Sequence, residues 1–495
     1  MSKSKTTYLD DRRIDITAYL GPRRAGKQIY NREYGTYPLD PEEGYPSFIT
    51  DDVFQLYKEA GMNFLMPEGD AFYGVRVTKD GFVSEPDFKK SDLYHYMKVA
   101  QRNGLGVYPA VEEIFAHMAH EEGSFGEKEK AVIKDFVTTI QKHFPDTFWG
   151  IMLTDEPCYN VLSRIHKIID YLHSDEIQSI KENIDTYISM HPIDGAKVAC
   201  HLDGKDPQYK KIAYGEPLVE KYGHYLDACA EVTGGLSVDY YALIYENQIM
   251  PNFYLNLEMM ADRCKERDCL LTVTLQSFRM DVFYSHKTGR GKILYRTPHY
   301  EDIRWQVYSA LAFGAGRLGY YTFWSHYSIG VDLVHTNAMV LYDPSDEKGY
   351  RTTEIYDAVK AVNKEILAFD HVFLCFKWLG CSVVRTSRDR NIRLVRADYK
   401  DDAFRIVKAS RDTLIGHMIN PENQEKGYWV VNAENPIRGQ NNDVEILFAD
   451  ATRLTYYRKG KEYDVALESV VLDDKQYGKL TMRLGVGEGV FCLTY

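Results

Sequence analysis

Short apolar runs alternate with longer segments of helical period along most of the chain. ITAYL is the first run. VFQLYKEAG follows with Phe54, Leu56, Tyr57 and Ala60 as an apolar stripe, and Gly61 leads into MNFLM. LYHYMKVAQRNG ends on Arg102, Asn103 and Gly104, a helix stop, before LGVYPAV. AVIKDFVTTIQKHF precedes WGIML, and a helical region from 160 to about 187 precedes AKVACHL. LVEKYGHYLDACAEV leads to LSVDYYAL, FYLNLEMMADRCKER to LLTVTLQSF, and EDIRWQVYSALAFGA to LGYYTFW. TEIYDAVKAVNKEILAF closes the series. This alternation predicts an α/β fold, a parallel sheet with crossover helices. Eight units is the count that closes a (β/α)8 TIM barrel, here over residues 1–371. The span exceeds a minimal barrel, so 21–47 and 280–300 are expected to be long loops. No glycine-rich phosphate turn follows the first run, which disfavours an open doubly wound sheet.

Beyond residue 371 the pattern changes. CSVVRTS, IRLVRADY, FRIVKAS, TLIGHMIN, YWVVNA, VEILFA, RLTYYR, LTMRL and GVFCLTY are short and alternating, with charged or Gly/Asn turns between them. They predict a C-terminal antiparallel β-sandwich over 372–495.

Composition narrows the class. The net charge of −12 argues against nucleic acid or an anionic membrane as the main partner. The first residues, MSKSKTTYLDDRRID, lack the apolar core of a secretory signal, and no apolar run reaches the length of a membrane span. A cytoplasmic location is expected. Cys158, Cys200, Cys229, Cys264, Cys269, Cys375, Cys381 and Cys492 show no framework spacing, which predicts reduced thiols. Cys264 and Cys269, five apart, match no common zinc knuckle, and His117 and His120 lack an HExxH pattern, so no metal or cofactor is expected. The 39 tyrosines, 22 phenylalanines and 5 tryptophans can pack a core or stack on sugar rings.

In barrels the chemistry sits after the strand C-termini. Those positions carry Glu68 and Asp70 after strand two, Glu112 and Glu113 after three, and Asp155 and Glu156 after four. Strand five gives His201 and Asp203, and strand six gives Asp239, Tyr240 and Tyr241. Strand seven gives Gln276 and Ser277, and strand eight gives Trp324 and His326. Each has a plainer role open to it. Asp155 and Glu156 would suit the first turn of a helix beginning at Pro157, and Trp324 would suit a core. Glycoside hydrolysis needs this inventory: one carboxyl kept protonated for the leaving oxygen, one ionised, and aromatic faces for the sugar.

WGIMLTDEP resembles the fourth strand of clan A glycoside hydrolases, where an Asn-Glu pair, often Asn-Glu-Pro, ends the strand; the chain resembles β-galactosidase-like barrels. PHYEDIRWQVYSALAFGAGRLGYYTFW resembles their last helix and strand. TLIGHMIN, YWVVNA and GVGEGVFCLTY resemble their appended β-domain. The resemblance implies Glu156 as acid/base and Trp324 as an aromatic lining the sugar site. Two positions depart from it. Asp155 stands where the family has Asn, and Gln276 stands where it has a nucleophilic Glu. An amide cannot serve as that nucleophile. Three arrangements stay open: Glu156 with Asp239, Glu68 or another loop acid; Asp155 as nucleophile with Asp239 as acid/base, as in α-galactosidase barrels; or substrate-assisted hydrolysis by Asp155 and Glu156, as in hexosaminidases.

The expectation is an exo-acting glycoside hydrolase on short oligosaccharides or glycosides. Glu156, Asp155 and Asp239 are its candidate catalytic residues. Glu68, Asp70, His201, Tyr240, Tyr241, Gln276, Trp324 and His326 are candidates for holding a small carbohydrate. A metal-dependent sugar isomerase or lyase using Glu68, Glu156, His201 and Asp239 is the rival enzyme, and a non-catalytic carbohydrate-binding barrel is the other class. A homo-oligomer stays open.

Overall fold

The computed structural model describes residues 7–9, 11–23, 28–31, 35–38, 47–67, 88–109, 125–158, 161–195, 216–232, 235–245, 248–285, 291–329, 332–343, 345–386, 396 and 399–494. The parallel strands are β1 (Asp15–Ala18), β2 (Phe64–Leu65), β3 (Gly106–Val107), β4 (Gly150–Asp155), β5 (Asp185–Met190), β6 (Gly235–Asp239), β7 (Leu270–Gln276) and β8 (Arg317–Tyr321). Each is followed by a helix: α1 (Asp51–Glu59), α2 (Asp92–Asn103), α3 (Glu127–His143), α4 (Leu162–Leu172), α5 (Glu216–Val232), α6 (Phe253–Arg267), α7 (Tyr300–Ala312) and α8 (Glu354–Leu367).

Six strands form one continuous parallel ladder in the order β1-β8-β7-β6-β5-β4, and among the described residues β2 pairs only with β3. The short pair occupies the remaining arc. The Asn63 amide donates to the Ile16 carbonyl at 3.0 Å on the β1 side. On the β4 side, Val107 N–H donates to Thr147 at 2.7 Å and Trp149 N–H to Val107 at 3.1 Å. The expected eight-stranded barrel is thus seen only in part: among the described residues it is a six-stranded parallel sheet beside a separately paired two-stranded arc, and the ladder does not close. Its β7 is a run of Leu, Val and Thr buried on both faces, as crossover helices require.

Local signals explain several boundaries. The Ser91 hydroxyl accepts from the Tyr94 amide at 3.1 Å and caps α2, and Gly104 closes it in the left-handed region, φ 66°. Gly150 opens β4 because any Cβ there would lie 2.3 Å from the Tyr108 ring.

Tyr19, Phe64, Met66, Tyr108, Met152 and Tyr187 form one buried cluster, with Trp149 and Tyr321 against it. At the strand N-termini Arg317 donates to Asp185 at 2.8 Å, Asp15 at 3.2 Å and the Tyr108 hydroxyl at 3.3 Å, and its guanidinium lies over the Phe64 ring. This end of the sheet is closed by structure, which leaves the C-terminal end for chemistry.

Strand five differs from the sequence expectation. It is DTYISM, not AKVACHL, which lies outside the described residues. The helical region expected to run to 187 breaks into α4 and a short helix Asp175–Gln178, and Asn183 turns the chain at φ 54°. Part of the loop expected at 21–47 is an antiparallel ribbon, Gln28–Asn31 against Gly35–Pro38. The loop expected at 280–300 supplies Arg279–Ser285 and Lys292–Tyr295, which join Asp332–Asn337 and His326–Ile329 in a four-stranded antiparallel sheet. Its strands come from the segments after β7 and β8, at the C-terminal end of the parallel sheet.

From Lys377 onward the strands are antiparallel, in two sheets. Phe404, Tyr428, Val430, Val444, Ile446, Leu454 and Val490 fill the space between them. The other face of the first sheet packs on the helices: Trp429 contacts Tyr308 of α7 (centroids 5.8 Å) and Phe373 (5.6 Å). Gly416 lies so close to α7 that a Cβ would sit 2.0 Å from the Ala312 carbonyl oxygen. With both faces covered, YWVVN and TLIGHM read as near-continuous apolar runs.

Candidate active site

The C-terminal ends of β4, β5 and β6 bring three titratable side chains together. In β4 the register with β5 slips between Met152 and Thr154, a bulge that re-aims the residues after it. Asp155 ends the strand and is exposed. Glu156 then turns into the left-handed region, φ 45°, although a residue before proline is normally held extended. Its amide donates to the Ser189 carbonyl at 2.8 Å, and the Pro157 carbonyl accepts from the Tyr225 hydroxyl at 2.9 Å. The turn is therefore tied to β5 and to α5. Helix α4 begins only at Leu162, so Asp155 and Glu156 are not in its first turn.

His191 directly follows β5. Its Nδ1 lies 3.4 Å from a Glu156 carboxylate oxygen, and its Nε2 is buried with no hydrogen-bond partner among the described residues. Tyr222 donates its hydroxyl to the His191 carbonyl at 3.0 Å and fixes that backbone. The Glu156 side chain is 41% exposed and the His191 side chain 9%.

Asp239 ends β6. One carboxylate oxygen accepts from the Tyr241 hydroxyl at 2.7 Å; the other is buried and unpartnered among the described residues. Burial, and then the negative charge of Glu156, push the Asp239 carboxyl up to about 6, against the Tyr241 hydrogen bond and the neighbouring His191. Asp155 belongs to the same cluster. Burial raises the Tyr19 and Tyr241 phenols, and the Asp155 charge adds to the rise in both.

Aromatic rings wall the site. Tyr241 packs on Phe278 (centroids 4.9 Å), Tyr321 (5.4 Å) and Tyr295 (6.1 Å). Tyr321 meets Tyr19 at 6.1 Å and the edge of His326 at 5.8 Å. The His326 Nε2 is 3.3 Å from the Tyr321 hydroxyl. Burial, with the Arg23 charge adding, lowers the His326 imidazole to about 3, so it is neutral at ordinary pH.

Three expected sugar contacts have other employment. Tyr240 packs on Phe253, and its hydroxyl donates to Asp194, which also accepts from Asn252 at 2.6 Å. Gln276 is fully buried. Its amide oxygen accepts from Leu243 N–H at 2.8 Å, and its amide nitrogen faces the carbonyls of Phe278, Leu243 and Arg296 at 3.1 to 3.2 Å. It clamps the segment after β6 to the segment after β7, with no amide hydrogen left for a sugar. Trp324, 3% exposed, packs on Phe48 (4.7 Å) and Tyr350 (6.2 Å) as core.

Glu68, Asp70 and His201 lie outside the described residues, as do Glu112, Glu113, His117, His120 and Asp203. Among the described residues no three His, Cys, Asp or Glu side chains converge as metal ligands would; Glu68 and His201, two of the four an isomerase would use, are not among them. No helix of the described residues is long and apolar enough to cross a membrane. The sequence reading missed His191, Tyr19, Tyr295 and Tyr321. His191 was hidden by the misplaced fifth strand. Tyr321 could have been found as the last residue of β8, inside the quoted LGYYTFW.

The pair Asp239 and Glu156 can divide acid and base work, since one is buried and the other open to water.

No protein-family model matches the chain, and no curated protein does. Several solved structures are similar in fold. A cycloisomaltooligosaccharide glucanotransferase from Paenibacillus sp. shares 9% identity over 88% of this chain and 81% of its own, with a TM-score of 0.48. A family GH51 arabinofuranosidase from Xanthomonas axonopodis pv. citri shares 9% over 97% and 95%, TM-score 0.40. A glycoside hydrolase family 30 subfamily 8 xylanase from Clostridium acetobutylicum shares 11% over 89% and 91%, TM-score 0.37. Likeness at this level carries no argument about the reaction.

Proposed function

We propose that the protein is a glycoside hydrolase in which Asp239 is the proton donor and Glu156 its catalytic partner. The observation that carries this is Asp239. It is a buried carboxyl beside a second carboxylate, at the mouth of a parallel α/β sheet and walled by tyrosines, and it holds its proton up to about pH 6. A donor must be protonated at working pH to serve the leaving oxygen, and its partner must not be. This reverses the role that the sequence resemblance implies for Glu156. His191 orients the Glu156 carboxylate, and the exposed Asp155 is assigned to a substituent on the sugar. The antiparallel sheet after β7 and β8 stands beside the mouth, which suits an exo-acting enzyme that takes the end of a short glycoside.

A panel of aryl glycosides, 2-acetamido sugars included, tests the proposal. Turnover is expected on at least one member, with kcat/KM falling as pH rises through about 6. Asp239→Asn and Glu156→Gln should each lower kcat/KM by about 10²–10⁴-fold without loss of fold. Activity confined to 2-acetamido glycosides would assign Asp155 to orienting the acetamido group. No turnover on the panel, or full activity in Asp239→Asn, overturns the proposal.

A further inference from the structure

At the other end of the parallel sheet, α6 passes into β7 through two cysteines. Cys264 is in the last turn of α6, Cys269 directly precedes β7, and Asp268 between them closes the helix in the left-handed region, φ 50°. The Cys269 amide donates to the Cys264 carbonyl at 3.0 Å. This is the six-to-one closure of a Schellman turn, whose side chains at these two positions meet over the helix end. In most such turns the contact is apolar; here both partners are thiols, and neither is in a disulfide. Both line one cavity of about 280 Å³, bounded also by Phe313, Trp378 and Trp429, in the seam between the helices and the first sheet of the sandwich. Cys264 is buried and Cys269 half-buried. A hydrogen bond from the Cys264 thiol lowers the Cys269 thiol below its ordinary value, with the Arg267 charge adding to it, and the same contact raises Cys264. One thiol is thus the better nucleophile and reachable, and the other is held against it.

We propose that Cys264 and Cys269 are a reversible disulfide site, oxidised by a small disulfide that enters this cavity. The Cys269 thiolate attacks one sulfur of R–S–S–R. The oxidant's S–S bond breaks, R–S⁻ leaves, and Cys269 carries a mixed disulfide. Cys264 then gives up its proton and attacks the Cys269 sulfur, which expels the second R–S⁻ and closes the protein disulfide. The two protons from the cysteines end on two molecules of R–SH, so one disulfide is reduced as the pair is oxidised.

The probe is oxidised glutathione, added to the folded full-length protein before alkylation and tryptic digestion. Lys265 and Arg267 lie between the cysteines, so trypsin separates them into peptides that only a disulfide can hold together. The expected product is one linked species, lighter by two hydrogens than its separated thiol peptides and resolved by dithiothreitol. Cys264→Ser should stop at a glutathione adduct on Cys269. Cys269→Ser should slow modification of Cys264 by at least about tenfold, since the exchange rate follows the attacking thiolate. Absence of the linked species in the unsubstituted protein, a lasting glutathione adduct on its Cys269, or equal modification of Cys264 in Cys269→Ser would each overturn the proposal. The first two need no variant, so a misfolded variant does not decide the matter.

Discussion

Asp239→Asn is expected to stabilise the fold at neutral pH while it removes activity. An aspartate carboxyl has a pKa of about 3.9 in an unfolded chain, and in the fold it rises to about 6. A folded value above the unfolded one means that the native state holds the proton more tightly. Ionisation of Asp239 therefore opposes folding. The penalty is absent below about pH 4, grows between about pH 4 and 6, and is complete above. A difference of about two units at 1.36 kcal/mol each gives about 3 kcal/mol. Asparagine carries no charge and keeps an oxygen for the Tyr241 hydroxyl, so it escapes that penalty. Unfolding entropy of about 2.1 cal/mol/K per residue gives about 1 kcal/mol/K for the 495-residue chain. The expected gain in Tm is therefore about 3 °C at pH 7.5 and close to none at pH 4. Scanning calorimetry of both proteins at the two pH values measures it. A variant that melts below the parent at pH 7.5, or gains equally at pH 4, would refute the reasoning. Because Glu156 contributes to the shift, the gain should shrink in a Glu156→Gln background, a double-mutant cycle for two neighbouring groups.

The clamp at Gln276 predicts that Gln276→Glu fails as a nucleophile graft: a carboxylate facing three carbonyl oxygens should cost at least about 2–3 kcal/mol in a urea melt, and a stable variant with raised activity would disprove the clamp. Trp324→Ala should lose about 3–5 kcal/mol of stability, while KM of the folded fraction stays within about threefold, because the ring packs on Phe48 rather than on substrate. Burial alone would raise the carboxyl of Asp401 in the sandwich, but the nearby His417 at 3.8 Å and hydrogen bonds from Lys426 and the Ala403 amide hold it well below the usual range. A depressed folded value stabilises above about pH 4 and is lost as pH falls. Lys426→Met should therefore lower stability at pH 7 by about 2 kcal/mol, with a deficit that narrows under acid in pH-dependent denaturation.

The sequence showed the fold best where burial dictates residue type. WGIML and LLTVTLQSF are strands covered on both faces, and their apolar runs end near the true ends of β4 and β7. DTYISM failed the same reading because Asp185, Thr186 and Ser189 dilute it, while AKVACHL nearby is the more apolar run. That single misplacement put His201 and Asp203 at a rim where the chain places His191. Polar identity misled in another way at Gln276. The residue type implies a ligand for hydroxyls, yet its side-chain hydrogen bonds all go to backbone groups, of Leu243 and Arg296 distant in sequence and of Phe278 close by. The tyrosines were countable but not assignable: Tyr240 and Tyr241 are adjacent, and only Tyr241 joins the site, because successive side chains near a strand end face opposite ways.

The site's local terms point against stability, which is an argument for its use. Glu156 holds a left-handed backbone before a proline, a conformation that costs roughly 1–2 kcal/mol outside glycine. Its charge lies close enough to Asp239 to raise that carboxyl. The buried Nε2 of His191 and one buried oxygen of Asp239 lack partners among the described residues. The first two terms could be relieved by a one-residue change, to Gly at 156 or Asn at 239. At the closed end Arg317 is shared among Asp15, Asp185 and Tyr108, and near the sandwich Glu488 is held by Arg458 and Arg304. The left-handed backbone at Glu156 and the raised carboxyl of Asp239 follow the pattern in which local rules are broken at functional sites. Under the proposed function, sugar hydroxyls and the leaving oxygen are the groups that His191 and Asp239 would meet, so glycoside binding should raise the Tm of the protein in scanning calorimetry.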